Sequence, residues 1–394
     1  MIKVKTTVFF ITILVLIGCT GNKIDLSSGN CENLVIDPAT AASVPLSRVF
    51  SLKRIFKLQV NNELIGNISN IYLKKDFIII YADNLYLYDY DGNFIKKIGR
   101  NGKGPGEYLS IHGVECNKLG FFIMDRSQQK IIHLNDQGRY IRDYKIGLFG
   151  EAYSKWNNIN LIYTGNEINK YNNKLFIFDN DFNYKMSFLK ISENEHRFVN
   201  FYDKTNFYNY KDSIRFLCSF DNNIYNLDNK GYVLRKRYKV DFGKYTIPED
   251  YFNRQFSDSR DFMMNLRASS YAYRIMGFYE NDHEIIFMFW YRDKMLLAIY
   301  NKRDHTSVIA DNLFDDIVFK GLNIKPADEY FSYYFKDNSV YFVLFPFQIK
   351  DYTDKMKEEL TDDEWKNYEK SSVYDAFKNI NEEDNPLIIE FSIK

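Results

Sequence analysis

The chain has 394 residues, and its 52 Lys+Arg against 52 Asp+Glu leave a formal net charge of +0. A neutral chain lacks the basic field that offsets phosphate, which excludes a general nucleic-acid binder. Aromatic residues make up 18% of the chain and charged residues 26%, a composition that excludes intrinsic disorder and can bury a large core.

At the N-terminus, Lys3 and Lys5 precede an apolar run over 8–17, too short to span a bilayer. Leu16-Ile17-Gly18-Cys19 follows. Charged region, apolar region and final cysteine together resemble the signal and lipobox of bacterial lipoproteins. That resemblance implies removal of 1–18, lipidation of Cys19 and a chain held in a membrane by its acyl groups. Thr20 rather than Asp after the cysteine favours the outer membrane of the cell envelope. Residues 19–48, rich in Gly, Asn, Ser, Ala and Pro, read as a flexible tether. The remaining cysteines, Cys31, Cys116 and Cys218, match no disulfide framework and form no CxxC pair. No cofactor motif or metal site is implied.

From residue 49 onward the chain reads as all-β. Runs at 68–73, 77–81, 85–90 and 94–98 are aromatic and β-branched and are separated by Asn, Asp and Gly turns. They make one four-stranded meander, the size of a propeller blade. The turn between its third and fourth strands recurs around Gly92, Gly138, Phe182, Gly231 and Asp304, in steps of 46, 44, 49 and 73 residues. The first three steps match a blade period of roughly 40–50 residues. The last leaves room for an insertion at 243–274, where Pro248 opens a helix-like stretch. A sixth unit holds strands at 330–335, 340–345 and 387–393, interrupted by an acidic helical segment, 351–384, with a capping box from Thr361 to Glu364. It lacks a fourth strand, while 55–60 is left over before the first blade. The sequence therefore predicts a six-bladed β-propeller over 49–394, with four-stranded antiparallel blades, closed by an N-terminal strand and carrying small helical insertions on one face. Two tandem β-sandwiches would show the same short strands.

The segment Gly99-Arg100-Asn101-Gly102-Lys103-Gly104-Pro105-Gly106-Glu107-Tyr108 resembles the G-R-x-G-x-G-P-G-E-[YF] stretch of the bacterial six-bladed β-propeller lipoproteins, which are similar to NHL-repeat propellers. The resemblance spans roughly 50–394 and implies a fold and a location rather than an activity. As a phosphate cradle the segment fails, because no helix follows it.

Topology narrows the site. In a propeller the connections from each outer strand to the next blade share one face with the second-to-third-strand connections, and here those are the long ones: 99–110, 146–157, 190–206, 242–274, 310–329 and 351–384. Long loops on a rigid scaffold carry binding. The candidate ligand-binding residues on that face are Arg100, Lys103, Glu107, Tyr108 and His112 from the first crossover and Tyr273 and Arg274 from the fourth. Both sets are expected to meet near the axis. Arg offers a fork of donors, Glu accepts hydroxyls, and Tyr offers a flat face with one polar end. Of the five histidines only His112 and His196 can reach this face, so no three-His metal centre assembles there. No G-x-S-x-G elbow occurs. Two function classes follow: a membrane-anchored binding or interaction module for a glycan, peptide or partner protein, and a hydrolase or lyase on the same scaffold. The missing nucleophile, metal and cofactor motifs favour the first, and the catalytic residues of the second stay unassigned.

Overall fold

The computed structural model describes residues 31–60, 64–191, 206–228, 233–326 and 332–394. The fold is a ring of six four-stranded, mainly antiparallel sheets, a β-propeller. We label the strands of each blade A to D from the axis outward. Blade 1 runs from Asn70–Leu73 to Phe94–Ile98, blade 2 from Ile111–Asn117 to Tyr140–Lys145, and blade 3 from Ala152–Trp156 to Tyr184–Lys190. Blade 4 runs from Phe207–Tyr210 to Leu234–Asp241 and blade 5 from Ala272–Glu280 to Thr306–Asp315. Blade 6 takes strands A to C from Ser332–Lys336, Ser339–Leu344 and Leu387–Ile393.

The continuous apolar runs reflect burial on both faces of every blade. Ile78, Ile79 and Ile80 in strand B of blade 1 all have 0% exposure. Alternation sends Ile79 to the interface with blade 2 and its two neighbours to the interface with blade 6. Phe121 and Ile123 likewise face blade 1 while Phe122 and Met124 face blade 3. The core is thus a ring of inter-blade clusters, one at each blade junction.

The ring closes as the sequence predicts, with a shift in bounds. The fourth strand of blade 6 is Phe50–Lys57, antiparallel to Leu387–Ile393, with Ile393 opposite Phe50 and Leu387 opposite Lys57. It starts before residue 55 because Phe50 is itself core, packed on Phe342 and Phe391.

Residues 31–48 do not form the flexible tether expected over 19–48. Cys19 and residues up to 30 lie outside the described residues, but 31–48 are built onto the propeller. Glu32–Val35 pairs in parallel with the outer strand of blade 4, and Ala42–Pro45 does the same on blade 5. Leu34, Ile36, Val44 and Leu46 are almost fully buried. These few well-spaced apolar residues are hidden by the polar average of the segment. Covering two outer edges in this way removes templates for intermolecular pairing.

Both insertions sit on the long-loop face. At 243–271 a short 3-10 turn, Glu249–Asn253, precedes the helix Ser259–Ala268, capped by the Asp258 side chain accepting from Asp261 N. In blade 6 the helices Pro346–Glu359, Asp362–Tyr368 and Ser372–Phe377 lie between strands B and C, and the Thr361–Glu364 capping box is formed. Among the described residues no helix is long and apolar enough to cross a membrane.

Candidate functional site

Strand A of every blade lines the axis, leaving a channel of 160 Å³ walled by Tyr72, Lys74, His112, Glu115, Tyr208 and Phe335 among others. Toward the short-turn face it is crossed by an ion pair, Lys74 Nζ to Glu115 Oε2 at 2.7 Å, joining blades 1 and 2. Toward the long-loop face stands His112, the second residue of its strand.

The mouth above His112 is built by one turn. Asp125 ends strand B of blade 2 and is fully buried. Its carboxylate accepts from Leu109 N at 2.7 Å and from Gln128 N and Nε2 at 3.1 and 2.7 Å. Gln128 Nε2 also donates to Glu107 O, and Arg126 N donates to Ser110 O. Crossover 99–110 and turn 125–130 are therefore stitched together, and Arg126 is aimed inward. Its Nη2 lies 2.8 Å from Glu151 Oε1 and 2.8 Å from Glu167 Oε1, and its guanidinium sits 5.4 Å from the centre of the Phe149 ring. Phe149 is 40% exposed. Glu151 directly precedes strand A of blade 3; its carboxylate lies 3.5 Å from His112 Nδ1. Burial alone would raise the Glu151 carboxyl, but the His112 hydrogen bond and the Arg126 charge outweigh it and hold the group below the usual carboxylate range. An anchored Arg between two carboxylates, over an open aromatic ring and beside an imidazole, offers acceptors, donors and one flat face at a single opening.

The sequence-derived candidates divide. His112 is at this mouth. Arg100 and Glu107 pair with each other, Nε to Oε1 at 2.6 Å, on the outer shoulder between blades 1 and 2. Glu107 Oε2 also accepts from Gly104 N at 2.8 Å, so this carboxylate caps its own loop. That explains Gly102, where a Cβ would come 2.1 Å from Glu107 Oε2. Tyr108 is 0% exposed, and its hydroxyl accepts from Leu85 N and donates to Ile98 O. It is a strut between blades and shows no face to a ligand, contrary to expectation. Lys103 is exposed beside a cleft. Tyr273 is likewise a correction: at 1% exposure it is packed under the 243–271 insertion with Tyr251, Phe262 and Leu266. Arg274 stands at an irregularity of strand A of blade 5 with φ 58. Neither Tyr273 nor Arg274 is among the residues that line the axial channel, whereas His112 is. The physical reason is the insertion, which buries the head of that strand under aromatic packing.

Trp156 is 7% exposed in the interface of blades 3 and 4. His133 is stacked on Phe122 in strand C of blade 2, and His196 lies outside the described residues. No group of three His, Cys, Asp or Glu able to hold a metal occurs among the described residues.

The mouth residues Arg126, Glu151, Glu167 and Phe149 are not singled out by the sequence. One signal was available: Glu151 immediately precedes an axial strand, and Arg126 opens a second-to-third-strand turn, positions that blade topology places side by side.

With this geometry in view, the family described as "Domain of unknown function (DUF4934)" matches residues 33–392. The chain belongs to that family. Among solved structures it is similar to a Bacteroides fragilis NCTC 9343 protein described as exported (BF0058), with TM-score 0.67 and 18% identity over 92% of this chain and 99% of that one. It also resembles a member of the duf4221 family from Bacteroides vulgatus (TM-score 0.49, 9% identity, 88% and 98% covered). A streptogramin B lyase aligns at TM-score 0.37 and 13% identity over 75% of this chain and 80% of that one. The first of these likenesses supports the fold. A search of curated proteins found no match.

Proposed function

We propose that this chain is an exported, lipid-anchored propeller that binds a hydroxyl-rich ligand, a glycan, at the mouth of its axial channel. The observation that carries the reading is Arg126 held between Glu151 and Glu167 over the exposed Phe149 ring, with His112 beneath. Carboxylates accept sugar hydroxyls, the guanidinium donates to ring and glycosidic oxygens, and an aromatic face takes the apolar side of a pyranose. Export and anchoring rest on the 1–19 signal and on likeness to a protein described as exported; the outer membrane is the destination that Thr20 favours. Glycan titration of the purified full chain tests the binding. A glycan that binds the wild type and loses at least about tenfold affinity in Arg126→Ala supports it; a peptide or protein ligand in its place, or an unaffected Arg126→Ala, overturns it. Palmitate labelling lost in Cys19→Ser tests the anchor, and a label that survives the change rules it out.

A hydrolase reading has one observation in its favour. Glu151 and Glu167 each lie 2.8 Å from the same Nη2, so two carboxylates share one opening, as glycosidase chemistry requires. Such a pair needs one carboxyl kept protonated. Glu151 is held down, which fits a nucleophile and not that acid, so the preference for binding rests on the mouth geometry rather than on this carboxyl. Release of reducing sugar abolished by Glu151→Gln would reverse that preference.

A further inference from the structure

On the far side of turn 125–130 from the mouth lies an open cleft of 560 Å³ at the shoulder of blades 1 and 2. Its wall on blade 2 carries Lys130 and Lys145, which are direct partners across strands C and D. Directly opposed residues share a sheet face, and like charges so placed are destabilising. Asp143 Oδ2 accepts from Lys130 Nζ at 2.8 Å, Gly104 O accepts from the same ammonium at 3.4 Å, and the Glu107 carboxylate feels its charge. Lys130 is nearly buried, with 8% of its side chain exposed, while Lys145 is exposed. Lys103 comes in from the glycine-rich crossover on the opposite wall. The cleft thus holds three ammonium groups and one carboxylate in a chain whose net charge is +0.

Two further features shape what fits. Asp143 Oδ1 is covered and has no hydrogen-bond partner among the described residues, so it is an acceptor that a hydroxyl reaches once the partly exposed Asp143 side chain turns toward the cleft. Tyr140 lies against Gly106, where a Cβ would come 2.7 Å from its ring. The ring is clamped on that side yet the residue is 46% exposed, which leaves a fixed aromatic face beside Pro105. An anion alone would use only the lysines. A ring bearing hydroxyls and an acidic group uses all of these.

We propose that this cleft is a second binding site, separate from the channel mouth, for an acidic saccharide whose carboxylate or sulfate meets Lys145 and Lys103 while a hydroxyl donates to Asp143 and the ring covers Tyr140. The site does not depend on the mouth binding anything. Of the opposed lysines, Lys130 is tied to Asp143 and to Gly104 O of the crossover, which leaves Lys145 as the exposed one that faces the cleft.

Calorimetric titration of the purified full chain with an oligogalacturonate, a chondroitin sulfate oligosaccharide and a neutral maltooligosaccharide tests it. At least one acidic sugar is expected to bind while the neutral one does not, and which acidic sugar binds tells carboxylate from sulfate. Lys103→Ala with Lys145→Ala is expected to weaken binding at least about tenfold. Lys145→Arg keeps most of it, and in the double Ala variant the melting temperature stays level or rises as the repulsion between opposed charges is relieved. Arg126→Ala is expected to leave this affinity unchanged, which separates failure here from failure at the mouth. Equal binding of the neutral sugar, undiminished binding by the double variant, loss in Arg126→Ala, or full competition by equimolar inorganic sulfate would each overturn the proposal.

Discussion

Two charged clusters of similar composition do different things, and burial separates them. Between blades 4 and 5, Glu280 accepts from Arg215 Nε at 2.6 Å, from Tyr238 hydroxyl at 2.6 Å and from Lys302 Nζ at 2.9 Å. Arg215 and Glu280 are 4% and 2% exposed. Burial would raise this carboxyl, but Arg215, Tyr238 and Lys302 outweigh it and hold it below its ordinary value. Glu280→Gln would leave two cations without their shared counter-charge, so we expect a loss of about 3–5 kcal/mol, read as a lower urea midpoint at unchanged m-value. At the channel mouth the Arg126 side chain is 27% exposed, and water can replace part of what it gives. Arg126→Ala should therefore cost only about 1–2 kcal/mol while it weakens the ligand. A stability loss as large as that of Glu280→Gln would identify Arg126 as a strut and remove the mouth as a site. Neither cluster is visible in the sequence, since each draws on residues from separate strands and turns. What was visible, Glu107 and Tyr108 within one motif, proved to be the loop's own fastening, because neighbours in sequence are best placed to satisfy one another.

At the scale of elements, the strands were the readable part. The 94–98 strand has its expected bounds, and the recurring turn marks each third-to-fourth-strand hairpin that the structure describes; the turn around Gly231 lies outside the described residues. Phe182 (φ 60) and His305 (φ 53) take the left-handed position that Gly92 and Gly138 fill in blades 1 and 2, so the repeat survives loss of its glycine while its residue signature does not. Insertions were found but not their contacts: the helical turns at 249–253 and 259–268 pack on Phe220 and Tyr273, a docking that depends on another blade. The 99–108 crossover admits a sharper test. Gly102 has φ 155, and a methyl there would meet the Glu107 carboxylate at 2.1 Å. Gly102→Ala should break the Glu107 cap and cost about 1–3 kcal/mol. Hydrogen exchange should quicken at Gly104, whose N–H donates to that carboxylate, with blades 3 to 5 unaffected. Unchanged exchange there would mean that the cap does not hold the loop.

For the whole molecule, closure of the ring is the step on which all blades depend. It was readable from a count, three strands at one end and one left over at the other, because an open ring leaves unpaired backbone on two edges. The chemistry that locks it was not. Glu390, in strand C of blade 6, accepts from Lys53 Nζ at 2.6 Å and Arg54 Nε at 2.7 Å, both on the closing strand, and from Ser339 Oγ at 3.0 Å. Its side chain is only 4% exposed. Burial would raise the carboxyl, but Lys53, Arg54 and Ser339 prevail and bring it down to about 2. An unfolded Glu titrates near about 4.3. A depressed carboxylate contributes stability that is fully present above the unfolded value and is lost as pH falls through the folded one. The closure should therefore weaken between about pH 4.3 and pH 2. Glu390→Gln lacks that term at every pH, so the stability gap between wild type and variant should be widest near neutrality and close across this window. Lys53 and Arg54 are 47% and 36% exposed, so solvent screens the pair and the neutral-pH gap is expected at about 1–3 kcal/mol. Paired urea titrations from pH 7 to about pH 2 measure it. Carboxylates common to both chains cancel in the difference, which makes the shape of the gap specific to this residue. A gap that stays constant with pH would show that Glu390 acts through packing rather than charge, and that the closing strand is held by its backbone ladder and by Phe50 alone.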